Sequence, residues 1–183
     1  MSQIDELIER IRDRQFKEAL DILEAQPNLA TEQSDRSGQL HGATPLHWAA
    51  HRNAAAVCER LIELNADVNK SASDWWRTPL AWGADAASAD AVRLLLDHGA
   101  DVNQDAVVGT TALHAVAMGG SSRGQADVAA YRRTAEILIA AGADVNRQTD
   151  KGRTPLDEAV DNGNTAVAEV LQQHGAMRSE EVT

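Results

Sequence analysis

Asn65-Ala-Asp-Val-Asn69, Gly99-Ala-Asp-Val-Asn103 and Gly142-Ala-Asp-Val-Asn146 repeat one phrase three times in a chain of 183 residues. A second phrase follows each of them some nine residues later: Thr78-Pro-Leu80, Thr111-Ala-Leu-His114 and Thr154-Pro-Leu156. Thr44-Pro-Leu-His-Trp-Ala-Ala50 opens that series. The leucines of the second phrase stand 34, 33 and 43 residues apart. A period near 33 residues marks a stack of small units, none of which can bury its apolar face alone.

Each unit obeys one local grammar. Thr is placed to cap a helix, and Pro follows at the first helical position, where its missing N–H is no loss. A short first helix is followed by a turn and a longer second helix, predicted over Ala55–Leu64, Asp90–His98, Arg132–Ala141 and Thr165–His174. Gly99, Gly142 and Gly175 then stand where a helix end wants a left-handed residue, and Asn65 takes that place in the first full unit. Ahead of the phrases, Ile4, Leu7, Ile8 and Ile11 form one helical stripe. Phe16, Ala19, Leu20 and Leu23 form another, which Pro27 ends.

These registered copies resemble ankyrin repeats, strongly over residues 35–176 and weakly at the N-terminus. The resemblance implies an all-α solenoid of stacked helix-turn-helix units with projecting turns. The expected organisation is a single domain, 1–183, with a degenerate capping repeat at 2–29 and a connection at 30–43. Repeats follow at 44–69, 70–103, 104–146 and 147–176, with an insertion at 119–130 and a frayed acidic tail at 177–183. The small residues Ala49, Ala50, Gly83, Ala84, Val116, Ala117, Ala159 and Val160 are expected to let neighbouring first helices approach closely.

The formal net charge of −11 and a pI near 4.9 oppose encounter with nucleic acid or an anionic membrane and permit a basic partner. No stretch reaches the roughly 20 apolar residues that cross a bilayer, and Met1-Ser-Gln-Ile-Asp-Glu shows no secretory pattern. The chain reads as a cytoplasmic monomer; export by a non-standard signal stays open. Cys58, the one cysteine, falls at a second-helix position and reads as a small buried apolar residue.

Specificity in a repeat protein belongs to the positions where copies differ. With the motif leucine as the core direction and 100° per residue, the position two further on points about 200° away. It reads Trp48, Trp82, Ala115 and Glu158. The position five further on lies about 140° away and reads His51, Asp85, Met118 and Asp161. In ankyrin proteins this side of the first helices, with the projecting turns, forms a concave groove that usually contacts partners. Aromatic residues are only 3% of the chain, yet Trp48, Trp75, Trp76 and Trp82 lie within 35 residues. Trp75 and Trp76 fall on a projecting turn one residue longer than the others. Tryptophan is enriched at binding hot spots, so these four are expected as apolar anchors unless they stack between helices. Arg123, on the insertion, places positive charge in an acidic protein.

The expected function is a protein-binding module that docks a protein or peptide in the groove. Its candidate contacts are Trp48, His51, Trp75, Trp76, Trp82, Asp85, Met118, Arg123, Glu158 and Asp161. His47 and His114 match the motif histidine, which in this family orders neighbouring loops. His47 and His51 have the i, i+4 spacing of metal ligands, but no second His/Cys pair completes a site, so no metal and no cofactor is expected. The rival reading is a small-molecule enzyme or binder using His51 and Asp85 as a general acid–base pair, in a pocket between the groove and the insertion.

Overall fold

The computed structural model describes residues 2–34, 42–72, 78–105, 108–119 and 128–182. Trp75, Trp76 and Arg123 therefore lie outside the described residues. The described residues form ten α-helices and no strand. They are α1 Gln3–Arg12, α2 Phe16–Ala25, α3 Pro45–His51, α4 Ala55–Glu63, α5 Pro79–Asp85, α6 Ala89–Asp97, α7 Ala112–Met118, α8 Val128–Ala140, α9 Pro155–Asp161 and α10 Thr165–Gln173. None is long and apolar enough to cross a membrane among these residues.

The helices build two columns. The short first helices stack in the order α1, α3, α5, α7, α9, and the second helices in the order α2, α4, α6, α8, α10. The most extensive helix–helix contacts are α3 on α5 and α5 on α7. Small residues permit this: Ala49, Ala50, Ala84, Val116 and Ala117 are fully buried. A Cβ on Gly83 would already lie 3.1 Å from Val92. Val160 departs from that expectation, being 43% exposed, because among the described residues no further helix stacks beyond α9.

Leu23, Leu61, Leu95 and Leu138 are wholly buried at matching positions of successive second helices. Four residues after Leu61, Leu95, Leu138 and the equally buried Leu171, the residues Asn65, Gly99, Gly142 and Gly175 turn the chain with φ of 66°, 85°, 90° and 78°. Asn is tolerated in this region because its short polar side chain carries little steric penalty there.

The Asp-Val-Asn phrase then closes each interface. In each copy the Asp carboxylate accepts the N–H of the Asn two residues on, at 2.9 Å: Asp67 from Asn69, Asp101 from Asn103 and Asp144 from Asn146. The Asn carboxamide reaches the next unit. Asn69 donates to the Gly99 carbonyl (3.2 Å) and accepts the Asp101 N–H (2.9 Å). Asn103 does the same with Gly142 and Asp144 (3.0 and 2.9 Å). Asn146 spans Gly175 and Met177 (3.5 and 2.7 Å). A ladder of carboxamides thus ties turn to turn, each rung satisfying one backbone donor and one acceptor.

The tail corrects the expectation of fraying. Arg178 Nε donates to Asp157 Oδ1 at 2.9 Å, and the Ser179 N–H to Asp157 Oδ2 at 3.1 Å. Together with Met177 on Asn146, these contacts put the tail where a further repeat would lie.

Candidate functional site

The first helices are positioned by their caps. Thr78 Oγ1 accepts the Ala81 N–H at 3.3 Å, and Thr154 Oγ1 that of Asp157 at 3.2 Å. In α3 and α7 the third residue after the Thr is His, and its Nδ1 accepts the backbone N–H of Thr44 or Thr111 at 3.2 Å. That leaves Nε2–H of His114 to donate to the Arg153 carbonyl of the next unit at 3.2 Å. Burial lowers the pKa of His114, partly opposed by that carbonyl. Both histidines are wholly buried, and His114 ties its cap to the next unit.

Asp157 replaces the histidine in α9. It accepts the Thr154 N–H at 3.0 Å and faces Arg178 and Ser179. Burial by itself would raise its pKa, but the backbone N–H of Thr154, the Arg178 guanidinium and Ser179 outweigh that and hold it well below the usual carboxylate range. Asp157 is 2% exposed. A carboxylate here depends on the tail, as His114 depends on the following turn.

The rows facing away from the leucines divide sharply. Trp48, Trp82 and Ala115 are buried, with the tryptophans only 8% and 9% exposed. For Trp48 and Trp82 the alternative of stacking between adjacent first helices therefore holds, in place of anchors reaching into an open groove. A first helix has a second helix behind it and a first helix on either side, so only a narrow stripe stays free. His51, Asp85 and Met118 are half-buried and Asp161 is exposed, so the row five residues on from the leucines forms that stripe.

Trp48 and Trp82 meet edge to face, with ring centroids 5.1 Å apart. The His51 ring lies 6.2 Å from Trp48 and 6.1 Å from Trp82, and His47 approaches Trp82 at 5.3 Å. The Arg12 guanidinium stands 4.9 Å from the Trp48 centroid, in cation–π range. The sequence-selected Trp48, His51 and Trp82 therefore form one rigid cluster bridging α3 and α5.

The acidic positions near α9 are already engaged. Arg153 donates to Glu158 at 2.6 Å and to Asp161 at 2.7 Å, and Arg178 lies 3.8 Å from Asp161. Their charge is met within the chain.

Between Asp85 and the start of the insertion lies Tyr131 of α8, whose hydroxyl donates to the Asp85 carbonyl at 3.0 Å. A Cβ on Gly119 would come within 2.4 Å of that ring, so glycine is required there by space. Residues 120–127 of the insertion are outside the described residues. Asn164, at the start of α10, donates to the carbonyls of Val116 and Gly119 at 3.1 and 2.8 Å and closes the end of α7. Among the described residues no three His, Cys, Asp or Glu side chains gather as a metal group would need. Cys58 is buried, and burial pushes its thiol up to about 12, which removes the thiolate needed for reactivity.

No curated protein matches this sequence. The family model described as ankyrin repeats, three copies, matches residues 14–106 and again 104–180. Ankyrin repeats are in general protein–protein interaction modules, and two stacked columns with projecting turns are the frame on which they act. From capped helix pairs, turn ladder and family match together, the chain belongs to the ankyrin-repeat family.

Proposed function

We propose that the chain is a scaffold that docks one partner protein or peptide along the stripe of its first helices and the adjoining projecting turns. The observation that carries this reading is the Trp48–Trp82 pair with His51 and Arg12 around it. Interlocked rings give a surface that does not have to be ordered when a partner arrives, which lowers the cost of association. His51, Asp85 and Met118 are the half-exposed contacts above that floor, and Asp161 and Glu158 contribute together with Arg153 as a mixed-charge end. Trp75, Trp76 and Arg123 are assigned to the same surface from their place in the sequence. Trp48 and Trp82 shape the site rather than insert into the partner. The net charge favours a basic partner, whose association would slow as salt rises. A monomer acting in the cytoplasm fits this reading.

Affinity capture from the native cell extract tests it, with wild type beside a Trp75→Ala, Trp76→Ala variant and a His51→Ala, Met118→Ala variant. Loss of the same captured protein in both, with the helical fold retained by circular dichroism, is the expected result. Each tryptophan truncation should weaken binding by about 2 kcal/mol. Its effect on folding should stay within about 0.5 kcal/mol. Capture that survives both variants would move the contact surface elsewhere.

A further inference from the structure

The rung ladder has a gap. Counted from the buried leucine of each second helix (Leu23, Leu61, Leu95, Leu138), the eighth residue on is Thr31, Asn69, Asn103 and Asn146. The three asparagines each clasp the following turn. Thr31 does not: its side chain is short, and its hydroxyl donates to its own Asn28 carbonyl at 3.2 Å. The turn it should clasp has the geometry of the others, with Asn65 in the left-handed region like Gly99, Gly142 and Gly175. Yet among the described residues no hydrogen bond reaches the Asn65 carbonyl or the Asp67 N–H. An open cleft of about 120 Å³ lies there, lined by Ala30, Thr31, Thr44, Asn65, Asp67 and Lys70.

We propose that this cleft binds a primary carboxamide, the side chain of an Asn or Gln on a partner polypeptide. The turn offers an acceptor and, two residues on, a donor. Three internal copies of that pair are each filled by a carboxamide, at 2.7–3.5 Å. A carboxamide supplies both complements from one planar group. A carboxylate has no donor for the Asn65 carbonyl, and the Asp67 carboxylate opposes it, although Lys70 at the rim attracts it. The protein-binding reading enters only in naming a polypeptide as the source; the recognition chemistry stands on the internal copies.

The test is a titration of the ¹⁵N-labelled full chain with N-acetylasparagine N-methylamide, followed by amide chemical shifts. The Asp67 amide should move several-fold more than those of Asp101 and Asp144, which already hold Asn69 and Asn103. Thr31→Asn should supply the missing rung from within and abolish the Asp67 response. Asn69→Ala should open a second site and make the Asp101 amide respond. An unmoved Asp67 would overturn the site, and an equal response to N-acetylaspartate N-methylamide would overturn carboxamide recognition. A stronger response to free asparagine than to the blocked probe would overturn the polypeptide source. A responding Asp67 in a chain that captures no protein would leave this site standing while the docking surface fell.

Discussion

The two ends of the ladder solve the same problem differently. Beyond α10 no further helix pair stands among the described residues to meet Asn146 and Asp157. The tail supplies a Met177 N–H for the one, and a Ser179 N–H and the Arg178 guanidinium for the other. At the N-terminal junction a whole helix pair is present, yet Thr31 leaves the rung open. Packing and turn pairing are therefore separable. α1 and α2 bury Leu7, Ile11 and Leu23 against the stack without completing the turn, whereas the tail completes the turn without adding a helix. Stability in such a stack is a sum of unit and neighbour contributions, so each interface can be perturbed by itself.

The largest expected effect lies away from both ends. Leu95→Ala, at a wholly buried middle position, should cost roughly 2–5 kcal/mol in denaturant melts and uncouple the repeats flanking it. A loss below about 1 kcal/mol would contradict the assigned packing. Next is Asp157→Ala, which leaves the buried Thr154 N–H and the Ser179 N–H without their acceptor. It should cost about 2 kcal/mol at neutral pH and free the tail to early proteolysis. Removing a complete internal rung with Asn103→Ala should cost about 1 kcal/mol, since water can reach the exposed backbone groups left behind. Smallest and opposite in sign, Thr31→Asn should gain about 0.5 kcal/mol by closing the open rung.

Acid should separate the two kinds of motif residue. His114 has a lowered pKa in the fold, so the unfolded chain binds its proton first. Its stabilisation is complete above its ordinary value of 6.5 and declines as pH falls below it. Asp157, also lowered, stabilises fully above the ordinary carboxylate value of 3.8 and loses that contribution as pH falls towards its folded value. A stability profile against pH should therefore lose its upper limb in His114→Ala and its lower limb in Asp157→Asn.

Helix pairs, threonine caps and left-handed turns were legible in the sequence because each depends on residues within one unit. The burial of Trp48 and Trp82 was legible only as the alternative to an anchoring role. A helical wheel drawn from one core direction ignores the first helices stacked on either side, and those neighbours cover the row that the angle sends outward. The docked tail depends on Arg178 meeting Asp157, 21 residues back, which no local pattern encodes. A signal did exist: Thr-Pro-Leu-Asp157 stands where Thr-Pro-Leu-His47 stands in the first full unit, and a buried carboxylate requires a donor. The rungs were in plain view as Asp-Val-Asn but acquired meaning only when their span across the interface could be measured. Trp75 and Trp76 of the projecting turn and Arg123 of the insertion keep their place in the proposed surface on sequence grounds alone.

Native-state hydrogen exchange of four equivalent amides, Asp67, Asp101, Asp144 and Met177, reads the ladder directly. Protected Asp101, Asp144 and Met177 beside a fast-exchanging Asp67 is the result expected if carboxamide rungs tie each turn to the next and Met177 completes the rung at Asn146. Equal protection at Asp67, or a Met177 amide exchanging as fast as an unstructured chain end, would contradict that account.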